Sequence, residues 1–288
     1  MTSETQRQPL PVYLIHWNAP DWVKSATDSI LSSDMPVAVT VVDNGPSEAS
    51  AALRLSERVR VLQAGSNLGY AGGANVALRD WLNGSSDWCV VGAHDLHVRP
   101  SDLRKMVEAG ERAPSFGILG PGTTEHGGRP YWAGSHLGEL EGIEKRTSMS
   151  GTCLLLQRRC ISEIGLFDTQ FGSYGEDDDL CARAGKSGWS VGRVPDTYAH
   201  GLGNQAEDRN HRIAKNRVLL AVKSSGSRVA GLKVLLFYAR SIATSTIRLV
   251  LDWENQLEYR AKISERWYGI RHGAPFLWKR MLPPPAAP

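Results

Sequence analysis

The chain has 288 residues, of which 41% are hydrophobic and 22% are charged, and its formal net charge is +3. This composition excludes a disordered or fibrous protein and predicts a folded chain with one large domain, or one domain and an appendage. The four cysteines form no Cys-x-x-Cys pair, which disfavours a zinc knuckle or a disulfide framework and favours reduced, cytosolic thiols.

Apolar runs and helical patterns alternate in the first third of the chain. Residues 1–10 are polar without an apolar segment of signal-peptide length, so we expect them to be disordered and the protein to be cytoplasmic. Strands are predicted at 11–17, 37–45, 58–65 and 87–95, and helices at 21–31 and 71–82. This alternation predicts an α/β chain with a parallel sheet, and such sheets bind ligands at the carboxyl ends of their strands. Asp43 and Asp95 lie at two of these ends.

The pattern is less regular after a predicted helix at 101–113. A strand at 117–123 is followed by a Gly-rich stretch to about residue 142, for which we expect a loop, and by an apolar segment at 151–168. We therefore predict a main domain over 11–208, with mixed sheet and loops around a cleft in its second half. A helical extension is predicted over 209–282 and a disordered tail over 283–288.

Charge is distributed unevenly along the chain. Residues 1–200 carry 18 Lys or Arg against 24 Asp or Glu, whereas residues 201–288 carry 15 against 6. The basic segment is either an ordinary helical segment or a surface for an anionic partner, such as a membrane, a phosphorylated acceptor or nucleic acid. Within it, Lys233, Arg240 and Arg248 interrupt an apolar run at 229–251. This spacing disfavours a membrane-spanning helix and favours an amphipathic helix, packed on the body or lying on a bilayer.

The stretch N-L-G-Y-A-G-G-A-N at 67–75 is rich in glycine. It has neither the spacing of a dinucleotide-binding loop nor the Gly-Lys-Ser/Thr of a phosphate-binding loop, which disfavours a nicotinamide enzyme or a nucleoside triphosphatase. Asn67 and Asn75 could fix this loop or contact a nucleotide. Asp43, in the turn Asp-Asn-Gly, either accepts hydrogen bonds from a base or ribose or simply forms a turn.

Three further groups have candidate chemistry, each with a structural alternative. Asp95 stands between His94 and His97 at a strand end, where it could bind a hard metal ion, and His200 ends a later strand; lone histidines are more often structural. The four acids at 176–179 could include a catalytic carboxylate, or they could only stabilise the start of a helix.

The order of these motifs is specific. It runs from the Asp43 turn through 67–75 and Asp95 to G-T-C-L-L-L-Q-R-R at 151–159 and G-L-F-D at 165–168. It continues with Y-G-E-D-D-D-L-C-A-R at 174–183, G-W-S-V at 188–191, V-P-D at 194–196 and His200. From about residue 12 to residue 200, and again at 215–223, the chain resembles the family 2 glycosyltransferases, particularly their rhamnosyltransferase-like branch.

The resemblance implies a GT-A fold: a Rossmann-like, nucleotide-binding mixed sheet flanked by helices, here with a C-terminal helical extension. It implies transfer of a sugar, such as rhamnose, with inversion from a dTDP or UDP donor to a hydroxyl group. The implied donor-site residues are Asn18, Asp43, Asn44, Asn67, Gly69 and Asn75. Asp95 and His200 would hold Mg²⁺ or Mn²⁺, and Asp177 would be the general base.

Chemical reasoning supports a single base. An inverting transfer needs one carboxylate to take the acceptor proton and a cation to neutralise the departing diphosphate. Glu176, Asp178 and Asp179 should raise the pKa of Asp177, which would make it a better base. One departure concerns the metal, because Ala93 stands where the family has its first ligand in Asn-Pro-Asp or Asp-x-Asp. His94 could replace that ligand, or the metal could bind weakly.

Two rival functions remain open. A metal-dependent hydrolase of sugar nucleotides would reach its full rate without an acceptor, and a non-catalytic binding protein would bind a donor without consuming it. The acceptor could be a glycan, a lipid-linked glycan or a small natural product, and no nucleic acid partner is expected. Peripheral contact with the inner face of the membrane and a homodimer are also left open.

Overall fold

The structure is a computed structural model, and it describes residues 8–45, 56–126, 129–131, 134–201, 208–252, 255–279 and 281–288. In these residues the strands are β1 (Leu10–His16), β2 (Val37–Asp43), β3 (Val59–Gln63), β4 (Trp88–Ala93), β5 (His97–Val98), β6 (Phe116–His126), β7 (Arg129–Tyr131), β8 (His136–Leu140), β9 (Ile143–Arg146), β10 (Cys153–Gln157) and β11 (Ser190–Gly201). The α-helices are α1 (Pro20–Leu31), α2 (Gly69–Leu82), α3 (Asp102–Arg112), α4 (Arg158–Ile164), α5 (Glu176–Lys186), α6 (Arg209–Ser225), α7 (Arg228–Leu251) and α8 (Gln256–Gly273).

The strands form one mixed sheet. Its order is β3-β2-β1-β4-β10-β6-β11-β9-β8, with β5 paired to β11 and β7 paired to β6. β1 to β4 run parallel to their neighbours among themselves, and β10 runs antiparallel between β4 and β6. The first half is thus the predicted parallel sheet, and the second half is mixed as predicted.

Helices cover both faces of this sheet, as the alternation of β1 illustrates. Val12 and Leu14 belong to an apolar cluster with Val23 of α1, whereas Tyr13 and Ile15 belong to a second cluster with Leu78 of α2. Successive side chains of a strand point to opposite faces. A strand that is buried on both faces therefore reads as the continuous apolar run seen in the sequence.

The chain divides into two compact units, which we call the sheet unit (1–172, 180–204 and 284–288) and the helical unit (173–179 and 205–283). The sequence predicted a division between residues 208 and 209, which left 173–179 in the main domain. The structure groups 173–179 with the helical unit, because the Asn216 side chain of α6 donates to the carbonyl oxygens of Ser173 and Tyr174, at 3.0 and 2.7 Å.

Both chain ends differ from the expected disorder. Leu10, inside the predicted disordered stretch 1–10, already belongs to β1, and its N–H donates to the Pro36 carbonyl oxygen at 2.9 Å; residues 1–7 lie outside the described residues. In the predicted tail, the Pro285 carbonyl oxygen accepts a hydrogen bond of 2.9 Å from the N–H of Leu166. A backbone partner in the sheet unit therefore orders this part of the tail.

The expected loop before residue 142 also differs from the structure. β6 extends to His126, β7 follows it, and β8 pairs with β9 as an antiparallel hairpin. The described side chains of β8 are mostly exposed. A strand without a buried face, such as β8, has no apolar alternation, so its sequence pattern resembles that of a loop.

The helical unit contains α6, α7, α8 and a 3₁₀ helix at Ala274–Leu277. Its small core contains Ala214, Val218 and Tyr238, and the hydroxyl of Tyr238 donates to the Ala214 carbonyl oxygen at 3.0 Å. Among the described residues, α7 is the helix whose length and composition would allow it to cross a membrane. Those two properties alone are weak grounds for a membrane span.

Candidate active site

The predicted acids Asp43 and Asp95 lie at the same edge of the sheet. β1 lies between β2 and β4 and is parallel to both, with His16 opposite Asp43 and Ile15 opposite Ala93. Asp43 ends β2, and Asp95 follows the end of β4 by two residues. The carboxyl ends of three adjacent strands therefore meet where an α/β sheet binds its ligands.

The Asp43 carboxylate is buried and hydrogen bonded. The N–H of Gly45 donates to Oδ1 at 3.1 Å, and the Gln63 side chain donates to Oδ2 at 3.4 Å. Only 1% of Asp43 is exposed. A buried carboxylate needs such partners to offset its desolvation, and these bonds fix the turn that follows β2.

Asn44 connects that turn to the Gly-rich stretch. Its Oδ1 accepts from the Leu68 N–H at 2.9 Å, and its Nδ2 donates to the Gly69 carbonyl oxygen at 3.0 Å and to Asn67 Oδ1 at 3.4 Å. Asn67 itself is exposed. Asn44 therefore holds the loop that begins α2, with the Asn67 side chain on the accessible side.

Gly69 can be only a glycine here. Its φ is +70°, and a Cβ at this position would lie 2.6 Å from the Gly172 carbonyl oxygen. That same oxygen accepts a hydrogen bond of 2.9 Å from the Ala71 N–H. The start of α2 thus contacts the backbone just before the acidic segment 176–179, a contact that any side chain at this position would block.

Asn75 and Asn18 have very different environments. Asn75 is 1% exposed, and its amide accepts from the Phe167 N–H at 2.9 Å and donates to the Phe167 carbonyl oxygen at 2.8 Å. This pairing joins α2 to Phe167 and gives Asn75 a structural role. Asn18 follows β1, is exposed and has a φ of +47°, which asparagine tolerates better than most residues.

The predicted metal ligands come from two parts of the sheet unit: Asp95 lies in the turn between β4 and β5, and His200 lies on β11. His200 on β11 pairs with His97 on β5, and a Cβ on Gly201 would lie 3.3 Å from Oδ2 of Asp95. The Asp95 carboxylate therefore occupies space next to the residue that follows His200. His200 Nδ1 is buried, has no hydrogen-bond partner within the described part of the chain, and lies 3.9 Å from Glu125 Oε2.

These residues fit a cation that takes few ligands from the protein. Carboxylate oxygen and imidazole nitrogen both suit Mn²⁺, and carboxylate oxygen suits Mg²⁺. The described residues contain no group of three or more His, Cys, Asp or Glu side chains able to hold a metal ion. Asp95 and His200 would therefore need substrate oxygens and water to complete the coordination.

Sequence reasoning named His94 but missed His16, with which it forms a pair at the same edge. The ring centroids of His16 and His94 are 5.6 Å apart, and the Trp17 N–H donates to His94 Nδ1 at 3.2 Å. Burial, with repulsion from His94, lowers the pKa of His16 to about 4, and burial also lowers the pKa of His94. Both rings are therefore neutral near pH 7. The polar residue that ends the apolar run of β1 was the available sequence signal.

The four acids at 176–179 have four different environments. Asp177 is half-buried, Asp178 is exposed, and Glu176 and Asp179 are buried. The N–H of Asp178 donates to Asp177 Oδ1 at 2.9 Å. Burial, reinforced by repulsion from Asp177, raises the pKa of the Glu176 carboxyl well above its ordinary value. At the start of α5, Asp177 is thus an accessible carboxylate on an ordered backbone.

These residues are divided between the two units. Asp43, Asp95 and His200 belong to the sheet unit, whereas Asp177 belongs to the helical unit. Asn216 holds the two carbonyl groups at residues 173 and 174, just before α5, and the Arg209 guanidinium lies 5.8 Å from the centroid of the Tyr174 ring. The candidate base therefore lies on a segment anchored to α6.

The chain matches the family model described as glycosyl transferase family 2 over residues 12–163. This range includes β1 to β4, α2, Asp43 and Asp95. A relative of known function is the N-acetylglucosaminyl-diphospho-decaprenol L-rhamnosyltransferase of Mycobacterium tuberculosis, which is 28% identical over 267 residues, covering 75% of this chain and 85% of the relative. The low-salt glycan biosynthesis hexosyltransferase Agl10 of Haloferax volcanii is 22% identical over 235 residues, covering 75% of this chain and 74% of that protein.

Solved glycosyltransferase structures share the fold. A mannosyltransferase from Pyrobaculum calidifontis, in complex with GDP-Man and Mn²⁺, superposes with a TM-score of 0.64 at 16% identity, covering 96% of this chain and 89% of that chain. S. aureus TarS 1–349 with UDP-GlcNAc gives a TM-score of 0.57 at 14% identity, covering 91% of this chain and 82% of that one. At these identities the similarity concerns the fold alone.

Proposed function

Because the chain belongs to glycosyl transferase family 2 and has the GT-A fold, we propose that it transfers a sugar with inversion from a nucleoside diphosphate to an acceptor hydroxyl. It is a glycosyltransferase with a sugar-nucleotide donor. The observation that carries the proposal is that the family match covers the strand edge that holds Asp43 and Asp95. Inversion is the outcome expected of a single displacement with one catalytic carboxylate.

The donor we propose is rhamnose on dTDP or UDP. The name of the mycobacterial relative, an L-rhamnosyltransferase, supports the sugar. In this proposal Asp43 and Asn44 shape the nucleoside site, with Asn18, Asn67 and Gly69 lining its accessible side. Asn75 then acts through the position of α2, since both of its amide atoms bond to Phe167.

Asp95 and His200 are the proposed ligands of Mg²⁺ or Mn²⁺. When bound, the cation would neutralise negative charge on the diphosphate leaving group. His200 Nδ1, which has no hydrogen-bond partner among the described residues, supports this assignment. A mannosyltransferase structure of similar fold contains Mn²⁺, which supports a divalent metal site in this fold.

Asp177 is the proposed general base. A carboxylate that takes the proton of an attacking hydroxyl must be ionised and accessible. Asp177 is half-buried, and the raised pKa of its neighbour Glu176 favours the neutral form of Glu176. The Asp178 N–H donates to Asp177 Oδ1, which helps to order this carboxylate at the start of α5. An ordered carboxylate at this position argues against a protein that only binds sugar nucleotides.

A lipid-linked sugar is the acceptor that we favour, and the cytoplasm, at the inner face of the membrane, is the location. The mycobacterial relative is named for a diphospho-decaprenol acceptor. All four cysteines are buried and free, which agrees with a reducing compartment.

The test is product analysis with dTDP-rhamnose and UDP-sugars, with and without a diphospho-polyprenol-linked acceptor and Mn²⁺. Formation of a glycoside whose anomeric configuration is opposite to that of the donor would support the proposal. Release of free sugar at the full rate without acceptor would identify a hydrolase. A donor that binds, shown by a raised melting temperature, but is never consumed would identify a binding protein.

A further inference from the structure

Helix α7 packs on the other helices through one side. Its buried residues are Gly231, Tyr238 and Ser245, which recur every seven positions and therefore lie on one side of the helix. On the packed side, a Cβ on Gly269 of α8 would lie 2.6 Å from the Tyr238 ring. Val234 and Leu235 of the same helix are partly buried and pack against the small core of Ala214, Val218 and Tyr238.

Other large apolar residues of α7 face outward. Val229, Leu236, Ile247 and Val250 are 59%, 61%, 59% and 80% exposed. At 100° per residue these four positions fall within one side of the helix, opposite the packed stripe. Further exposed apolar side chains of the helical unit are Leu232, Phe237, Leu251, Leu257, Trp267, Trp278 and Leu282. An apolar surface this extensive marks an interaction site.

The charge of the same region is of one sign. Between Asp208 and Asp252 the sequence has nine Lys or Arg and no Asp or Glu. Lys233 and Arg240 are exposed on α7 among its outward apolar residues. Long basic side chains can place their carbon chains against apolar surface and their charges in the headgroup layer. Apolar residues, tryptophans and basic residues together match the chemistry of an anionic lipid surface.

We propose that the helical unit docks on an anionic bilayer, with α7 lying in the plane of the lipid headgroups. A spanning orientation does not fit, because α8 packs on the same helix and carries Glu258, Arg260, Lys262 and Glu265 along its length. Charges at that density are costly inside the hydrocarbon layer. The proposal goes beyond sugar transfer, and lipid binding can be measured with no sugar present.

The experiment is flotation of the full chain with vesicles of phosphatidylcholine and phosphatidylglycerol, compared with phosphatidylcholine alone, at low and high salt. The apolar variant is L236Q/I247Q, since both positions are exposed and glutamine is a good helix former. Its matched control is L137Q/L140Q, which removes two exposed leucines from β8 of the sheet unit. A third variant, K233Q/R240Q, removes charge from α7.

We expect wild type and L137Q/L140Q to bind the anionic vesicles equally and L236Q/I247Q to lose about tenfold or more in partitioning. K233Q/R240Q should lose about fivefold per charge on anionic vesicles, with little further loss at high salt. Melting temperatures within a few degrees of wild type would show that the variants fold.

Three results would overturn the proposal. Wild type could fail to float with anionic vesicles at low salt, or L236Q/I247Q could bind as well as its control. A concentration-dependent dimer that L236Q/I247Q abolishes, without any vesicle binding by wild type, would assign the surface to a second copy of the chain.

Discussion

The sheet unit and the helical unit distribute polar and apolar side chains in opposite ways. The sheet unit buries Asp43, Asn44 and Asn75, each with hydrogen-bond partners in the backbone or in neighbouring side chains. The helical unit packs α7 through Gly231, Tyr238 and Ser245 and leaves several large aliphatic residues of the same helix in solvent.

Each arrangement departs from what stability alone would favour. Burying an amide is worthwhile only if its hydrogen bonds are made, and losing one partner costs about 1–3 kcal/mol. Leaving a leucine exposed forgoes about 1.5–3 kcal/mol of burial. In our proposals, the buried polar residues of the sheet unit position the sugar-nucleotide site, and the exposed apolar residues of α7 face a lipid surface. The Asp177 segment belongs to the helical unit by its packing and to the donor chemistry by our proposal.

The largest expected effect comes from Asp177→Asn. The substitution preserves Oδ1 as an acceptor for the Asp178 N–H but removes the carboxylate, so turnover should fall by about 10² to 10⁴-fold while donor affinity stays nearly unchanged. Transfer rates at saturating substrate, with donor binding by calorimetry, measure both quantities.

The matched control is Asp178→Asn, one residue along α5 and exposed. It should change turnover by much less. If these acids serve only to start α5, each variant would instead lose about 1 kcal/mol of stability and keep its turnover per folded molecule. A fully active Asp177→Asn enzyme would exclude this residue as the base.

The second prediction asks whether Asn75 is structural or lines the donor site. Asn75→Ala leaves the N–H and carbonyl oxygen of Phe167 without partners in a buried region, so the free energy of unfolding should fall by about 3 kcal/mol. Donor affinity of the folded variant should remain close to that of wild type.

Asn67→Ala is the contrasting variant, because Asn67 is exposed just before α2, the helix that contains Asn75. It should cost less than about 1 kcal/mol in stability and weaken donor binding more than Asn75→Ala does. The reverse pattern, with intact stability and lost donor affinity in Asn75→Ala, would support the prediction from the sequence that Asn75 contacts the donor. Chemical denaturation and calorimetry on both variants decide this.

These asparagines show how much of the site can be predicted from the sequence. β1, β2 and β4 could be predicted because buried parallel strands are continuous apolar runs, and that placed Asp43 and Asp95 at one edge. The partners of Asn75 could not be predicted, since Phe167 is 92 residues away in the sequence. The His16–His94 pair likewise depends on strand pairing that no local pattern encodes.

The third prediction concerns the metal. Asp95→Asn keeps the size of a buried side chain but removes its charge, so affinity for Mn²⁺ in the presence of nucleotide should fall by about tenfold or more. Glu139→Gln, an exposed site on β8, is the control and should change nothing. Titration of Mn²⁺ by calorimetry measures the affinity, and equal affinities for the two variants would remove Asp95 from the metal site.

The smallest effect is a pH dependence that originates at His16 in the sheet unit. Burial lowers the pKa of His16 to about 4 in the folded protein, against an ordinary value of 6.5. Below pH 6.5 the unfolded chain therefore binds a proton that the folded chain does not, and the free energy of unfolding falls as the pH drops towards 4. The slope from one such group cannot exceed about 1.4 kcal/mol per pH unit, so the full fall in pKa would give a loss of about 3 kcal/mol. Because solvent at this edge of the sheet screens the charged ring, we expect a total loss of about 1–2 kcal/mol. His16→Asn should flatten this part of the profile, whereas His136→Asn, at an exposed position on β8, should leave it unchanged. Urea denaturation at several pH values between 4 and 7.5 measures the profiles; parallel curves for wild type and His16→Asn would mean that the acid sensitivity arises elsewhere.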